Sequence, residues 1–95
     1  MDFRIGYGYD VHQLVTGESL VLGGVAIAHS KGLKGFSDAD VLLHAICDAF
    51  LGAINKGDIG KHFPPGDPAY QGIESTKLLQ EVYSMVEAEG YVLNN

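Results

Sequence analysis

The stretch from Ser37 to Gly57, SDADVLLHAICDAFLGAINKG, constrains the fold more than any other part of the chain. Its apolar residues Val41, Leu42, Ala45, Ile46, Ala49, Phe50 and Ala53 recur at three- and four-residue steps, which predicts one face of an amphipathic helix. Ser37 is a natural N-cap, Asp40 follows three residues on as a short capping box, and two early aspartates suit the positive helix end. A chain of 95 residues buries only about 60–65% of the surface it exposes when unfolded, so it is marginal alone. Cys47 is the single cysteine, so no disulfide closes within the chain; oligomerisation or a bound metal is left as the support, and a reducing compartment fits.

The remaining elements are punctuated by glycine and proline. Residues 3–15, FRIGYGYDVHQLV, are rich in strand formers, and Gly6 and Gly8 suggest close backbone approach. LVLGGVAIAH, residues 20–29, reads as a second strand with a bulge at Gly23 and Gly24, and residues 30–36 as a mobile glycine-rich loop. Residues 58–72 hold all three prolines in a long loop of the kind that is functional or disordered. A second helix runs from Ser75 as N-cap to Glu89, with Leu78, Leu79, Val82, Tyr83 and Val86 on its apolar stripe and Gly90 as its stop. YVLNN then begins a strand that needs a partner, which implies a polypeptide continuing beyond Asn95. Residues 1–95 are read as one domain, the N-terminal part of a longer one.

Charge and hydropathy exclude several partners. Twelve acidic against six basic residues give a net charge of −6, which repels a nucleic-acid backbone, and no Lys/Arg cluster relieves it. No apolar run approaches the roughly 18 residues of a membrane span, and the N-terminus has no leader pattern, so the expected location is cytoplasmic. A phosphorylated ligand would need a cation to help hold it.

Within the first strand Asp10 and His12 lie two apart and so point to one face. His44 stands on the first helix with Asp40 and Asp48 four residues to either side. If strand and helix pack together, Asp10, His12 and His44 make an O, N, N set with a fourth position open, as in a catalytic zinc site, and Asp40 or Asp48 can orient His44. The ordinary alternative is a hydrogen-bonded structural histidine. Asp58, Ile59 and Gly60 open the long loop, where Asp58 can accept from a hydroxylated substrate or simply form the turn. Asp67 is read as a local cap, His62 and His29 as surface residues, and Cys47 as packing.

RIGYGYDVHQL, LVLGGVAI, KGLKGFSDADVLLHAICDAFLGA, GDIGKHFP and DP, in this order, resemble the 2-C-methyl-D-erythritol 2,4-cyclodiphosphate synthases of non-mevalonate isoprenoid biosynthesis. The resemblance covers residues 3–95 and places Asp10, His12 and His44 on the family's zinc ligands. It implies an α+β subunit, a small mixed β-sheet with helices packed on one face, assembling as a homotrimer with active sites between subunits. It further implies cyclisation of 4-diphosphocytidyl-2-C-methyl-D-erythritol 2-phosphate with release of CMP. A second divalent cation, magnesium or manganese, is expected from residues beyond Asn95. Matching substrate positions are Asp10, His12, Ser37, Asp58, Ile59, Gly60, Phe63, Pro64 and Asp67; no separate catalytic residue is assigned.

Three departures qualify the resemblance. Phe36 stands where the family usually has a histidine, and a phenyl ring donates no hydrogen bond. The usual Phe-Pro-Asp-Thr-Asp reads Phe63, Pro64, Pro65, Gly66, Asp67. The segments that in the family grip cytidine lie beyond Asn95, so the chain as it stands is expected to be catalytically incomplete. Two alternatives remain: a non-catalytic metal- or ligand-binding oligomeric module, and a metal-dependent phosphohydrolase.

Overall fold

The structure, a computed structural model, describes residues 3–95. Its central element is helix α1, Val41–Ala53, shorter at both ends than the stretch 37–57 suggested. Ala39 takes φ 57, a left-handed conformation that a helix cannot contain, so the cap is Asp40 and not Ser37; the Asp40 carboxylate accepts from the Leu43 N–H at 3.0 Å. At the other end Asn55 and Gly57, at φ 58 and 85, turn the chain away.

The buried face of α1 also differs from the expected stripe. Leu43, His44, Cys47 and Leu51 are buried, whereas Leu42 is 48% exposed. Helix α3, Ser75–Ala88, lies along this face, and Leu78 and Val82 join Cys47, Leu51 and Phe63 in the core. The predicted α3 stripe holds, and Gly90 at φ 84 follows the helix as its stop. Ser75, however, is inside the helix: Glu74 precedes it and supplies no side-chain cap, because the first turn is tied down from elsewhere.

The alanines predicted for the core face residues 3–13 instead. Arg4 donates from Nη1 to the Ala53 carbonyl at 3.3 Å, and a Cβ on Gly6 or Gly8 would overlap the carbonyl of Ala49 or Ala45. Two residues of extended chain and four residues of helix each span about 6 Å. The segment therefore crosses α1 antiparallel, with its even-numbered residues inward. Phe3, Ile5, Tyr7, Tyr9 and Val11 face outward, between 62% and 83% exposed. Among the described residues the segment 3–12 has no ladder partner, so the strand expected over 3–15 is confined to β1, Leu14–Thr16.

β1 pairs antiparallel with β4, Lys31–Leu33, and β2, Leu20–Leu22, with β3, Val25–Ile27. Gly23 and Gly24, at φ 62 and 78, join β2 to β3 as a two-residue hairpin turn, so no bulge is needed. The 30–36 segment expected as loop supplies β4. The Asp40 carboxylate accepts from the Gly23 and Gly24 N–H groups at 2.9 and 2.6 Å, fastening this hairpin to the start of α1. The class is α+β as expected, but with 3–12 and 91–95 outside any ladder among the described residues, the strands form two antiparallel pairs rather than one mixed sheet. The long loop 58–72 is ordered by helix α2, Ile59–His62, and a 3₁₀ turn, Pro68–Tyr70. The edge of Phe63 meets Tyr70 with ring centroids 5.5 Å apart.

Two outcomes test this packing in the full-length protein. Gly8→Ala is expected to lower stability by roughly 3 kcal/mol, since neither backbone can retreat. Gly52→Ala, where the new methyl would meet only the Tyr7 carbonyl at 3.9 Å, is expected to raise it by about 0.5–1 kcal/mol; urea unfolding midpoints measure both. Burial, with Asp48 and Asp40 nearby, pushes the Cys47 thiol up from 9.0 to about 12. A raised pKa means that this group's contribution to stability is fully present below the ordinary thiol value and is lost progressively as pH rises from there through the folded value of about 12. Near neutral pH, Ellman's reagent is therefore expected to leave Cys47 unlabelled until guanidinium unfolds the chain.

Candidate metal centre

Inward placement of even-numbered residues carries Asp10 and His12 along α1 to His44. Asp10 Oδ2 lies 2.9 Å from His12 Nε2 and 3.1 Å from His44 Nδ1, and the two nitrogens are 3.2 Å apart. His44 is buried, whereas Asp10 and His12 are partly open. These are the residues whose donor atoms converge among those described, as the strand-and-helix reading anticipated.

Local structure fixes each ring. The β1–β4 ladder runs on through the Lys34 N–H to Gln13 carbonyl bond at 2.9 Å, which sets the Lys34 carbonyl 2.8 Å from His12 Nδ1. A carbonyl only accepts, so Nδ1 carries hydrogen and the Nε2 lone pair faces Asp10 and His44. A Cβ on Gly35 would stand 3.0 Å from the His12 ring, so the loop after β4 closes on the imidazole. His44 Nε2 lies 2.8 Å from Ser75 Oγ and 3.2 Å from Ser37 Oγ.

The donor set fits a cation. A carboxylate and an imidazole lone pair at 2.9 Å repel unless positive charge lies between them, and one proton can bridge only one pair of the three atoms. A tetrahedral ion with ligands at about 2.0–2.1 Å sets donor separations of about 3.3 Å, close to those observed.

The carboxylates of Asp40 and Asp48, expected to orient His44, do not bond its ring; Asp40 meets His44 only through its main-chain carbonyl, which accepts the His44 N–H at 3.0 Å. Asp40 holds the hairpin turn; Asp48 accepts from the Ile59 N–H at 2.9 Å and so fixes the start of α2. Burial pushes the Asp48 carboxyl up, the Ile59 N–H opposes this, and Asp58 and Asp10 add to the rise. The far nitrogen of the His44 ring meets Ser75 and Ser37, and Asp38 stands behind Ser75. Their pairing across 37 positions left no sequence signal.

A cavity of about 250 Å³ opens beside the centre. Asp10, His12, Ser37 and His44 form its polar end, and Phe36, Ile59, Gly60, Phe63 and Tyr70 lie along its wall. Of the sequence-derived substrate positions, Asp58, Pro64 and Asp67 do not line it. Asp58 caps α2 through the Lys61 N–H at 3.1 Å, and Asp67 caps the 3₁₀ turn through the Ala69 N–H at 3.0 Å. Pro65 lines the cavity in place of Pro64. His62 and His29 are occupied locally with the Lys56 carbonyl and Lys31.

Residues 3–95 match the YgbB family over their whole length. The chain belongs to this family. It is 67% identical over 92 residues to the 2-C-methyl-D-erythritol 2,4-cyclodiphosphate synthase of Syntrophotalea carbinolica, covering 97% of this chain and 56% of that protein. To the synthase of the same name from Bacillus subtilis it is 59% identical over 93 residues, covering 98% and 59%. A solved structure of 2C-methyl-D-erythritol-2,4-cyclodiphosphate synthase in its CDP-bound form superposes with a TM-score of 0.85 at 45% identity, covering 92% of this chain and 58% of that one. The chain thus spans somewhat over half the length of these YgbB-family relatives.

Zinc titration of the full-length protein is expected to saturate at about one ion per chain. His12→Ala or His44→Ala should weaken binding by roughly a hundredfold or more, read by competition with a chromogenic chelator.

Proposed function

We propose that this chain is the metal-holding N-terminal part of a zinc-dependent 2-C-methyl-D-erythritol 2,4-cyclodiphosphate synthase. The observation that carries the reading is the convergence of Asp10, His12 and His44 at the polar end of a largely apolar cavity. Identities of 59% and 67% to proteins of that name support it, as does the CDP-bound state of a similar structure.

In this reading the substrate is 4-diphosphocytidyl-2-C-methyl-D-erythritol 2-phosphate. An oxygen of its 2-phosphate attacks the β-phosphorus; a P–O bond forms, the bond between the β-phosphorus and the bridging oxygen breaks, and CMP departs with that oxygen. Zinc held by the three ligands supplies Lewis-acid polarisation of a phosphate oxygen. The remaining work is positioning, because two anionic groups of one molecule must be folded together. Ser37 Oγ accepts the Ala39 N–H at 3.2 Å; His44 Nε2, also 3.2 Å away, directs its one hydrogen to the nearer Ser75 Oγ, so the Ser37 hydrogen is free for a phosphate oxygen at the cavity. Phe36, Ile59, Phe63 and Tyr70 exclude water from the same space, which favours attack by the tethered phosphate over hydrolysis. Gly60, which lines the cavity, is assigned to the erythritol phosphate end, whereas Asp58, Pro64 and Asp67, outside its lining, shape the loop that carries it.

A homotrimer with sites between subunits is assigned by similarity to the family; the outward row Phe3, Ile5, Tyr7, Tyr9 and Val11 is available to such contacts, or to the further sequence of a full-length protein. A second divalent cation, magnesium or manganese, and the cytidine contacts are assigned to sequence beyond Asn95. A cytoplasmic location completes the reading; no helix among the described residues is long and apolar enough to cross a membrane.

Full-length protein given the diphosphocytidyl substrate is expected to release CMP and the cyclic diphosphate in equal amounts. His12→Ala should lower kcat/KM by roughly a hundredfold or more. Orthophosphate in place of CMP would identify a phosphohydrolase, and the absence of either product would leave a non-catalytic module.

A further inference from the structure

We propose that Ser75 and Asp38 are positioning residues for His44, together fixing which imidazole nitrogen is free to ligate a cation. The inference rests on the metal-binding reading and extends it to two side chains behind the ligand. Ser75 Oγ lies 2.8 Å from His44 Nε2 and 2.5 Å from Asp38 Oδ1. A hydroxyl has one hydrogen to direct, and a carboxylate oxygen only accepts. Were Ser75 to donate to His44, two bare oxygens would face each other across 2.5 Å. The hydrogen therefore goes to Asp38, and Ser75 Oγ accepts from His44 Nε2–H.

Asp38 is held in turn by main-chain donors. Its Oδ2 accepts the Ser75 N–H at 3.0 Å, and its Oδ1 accepts the Asp40 N–H at 3.1 Å. Rigid backbone thus sets the direction of each bond in the chain from Asp38 through Ser75 to His44. With hydrogen fixed on Nε2, the neutral ring carries its lone pair on Nδ1, the atom facing Asp10 Oδ2 at 3.1 Å. His12 reaches the matching state with the opposite nitrogen, through the Lys34 carbonyl.

The order of the three groups excludes a nucleophilic triad. There the imidazole sits between carboxylate and serine and takes the hydroxyl hydrogen. Here the serine is in the middle, sends its hydrogen away from the imidazole and has 0% exposure. What remains is an orienting carboxylate behind a metal-ligating histidine, with one hydroxyl inserted between them.

The test uses full-length wild type, Ser75→Ala, and Ser84→Ala as a control, since the exposed Ser84 hydroxyl donates only to the Gln80 carbonyl of its own helix. Chelator competition is expected to show zinc affinity lowered by about 10–100-fold in Ser75→Ala, with unchanged far-UV circular dichroism, and unaltered in Ser84→Ala. Long-range ¹H–¹⁵N correlation on zinc-loaded wild type should show His44 protonated at Nε2 and metallated at Nδ1. A purely structural serine would not determine that assignment, and the wild-type spectrum decides the point even if Ser75→Ala does not fold. Wild-type affinity in Ser75→Ala, or His44 metallated through Nε2, overturns this inference while leaving metal binding intact. A wild type that binds no zinc overturns both.

Discussion

Gly6 and Gly8 lie against the carbonyls of Ala49 and Ala45, and most of the site follows from that contact. Glycine on one side and alanine on the other let an extended chain and a helix approach more closely than side chains normally permit. The matched advance of about 6 Å per step then fixes register as well as distance. Asp10 and His12 arrive opposite His44 because they are the next inward positions along this track. The Arg4 bond to the Ala53 carbonyl holds its far end. Larger residues at 6 and 8 would lift the whole segment and separate the ligands without touching any of them.

A second constraint acts on the other side of His44. The Gly72 N–H donates to the Phe36 carbonyl at 2.9 Å, and the Asp38 N–H to the Ile73 carbonyl at 3.2 Å. With the two bonds between Asp38 and Ser75, these join the entrance of α1 to the entrance of α3. Docking of α3 and orientation of His44 are therefore one event. The start of α3 lacks a cap of its own, since Asp38, a residue remote in sequence, accepts the Ser75 N–H that a local cap would have taken.

Sequence periodicity located both long helices and the trio Asp10, His12 and His44, because alternation and three-to-four spacing report faces directly. It mistook which face of α1 is buried. Alanine and leucine both score as apolar, yet the alanines lie under a backbone and Leu43, Cys47 and Leu51 under a helix. Ser37 and Ser75 fit a capping pattern that long-range bonds overrode: the left-handed Ala39 moved one boundary, and Asp38 captured Ser75. The partner of Asp38 across the fold has no periodic signature, so the side chains behind His44 were invisible where Asp10 and His12 in front of it were not. The positive φ of both Gly23 and Gly24 is what a paired glycine permits, and it separates a hairpin turn from a bulge only once the backbone is seen.

The distribution of carboxylates bears on how an acidic chain could hold a cation and an anion together, as proposed. Asp38, Asp40, Asp48, Asp58 and Asp67 each accept at least one backbone N–H, so their charge is set against main-chain dipoles and turned to capping or bridging. Asp10 differs. Its recorded partners are the two imidazoles, and both of those rings are anchored by the nitrogen that faces away. Its charge is therefore the one that remains directed at the open position. With a dipositive ion on two neutral imidazoles and one carboxylate, the cluster has net charge +1, which attracts phosphate where the protein as a whole, at −6, would repel it. Replacing either histidine by a further carboxylate would remove that excess, so in the proposed reading one aspartate and two histidines suit an anionic ligand.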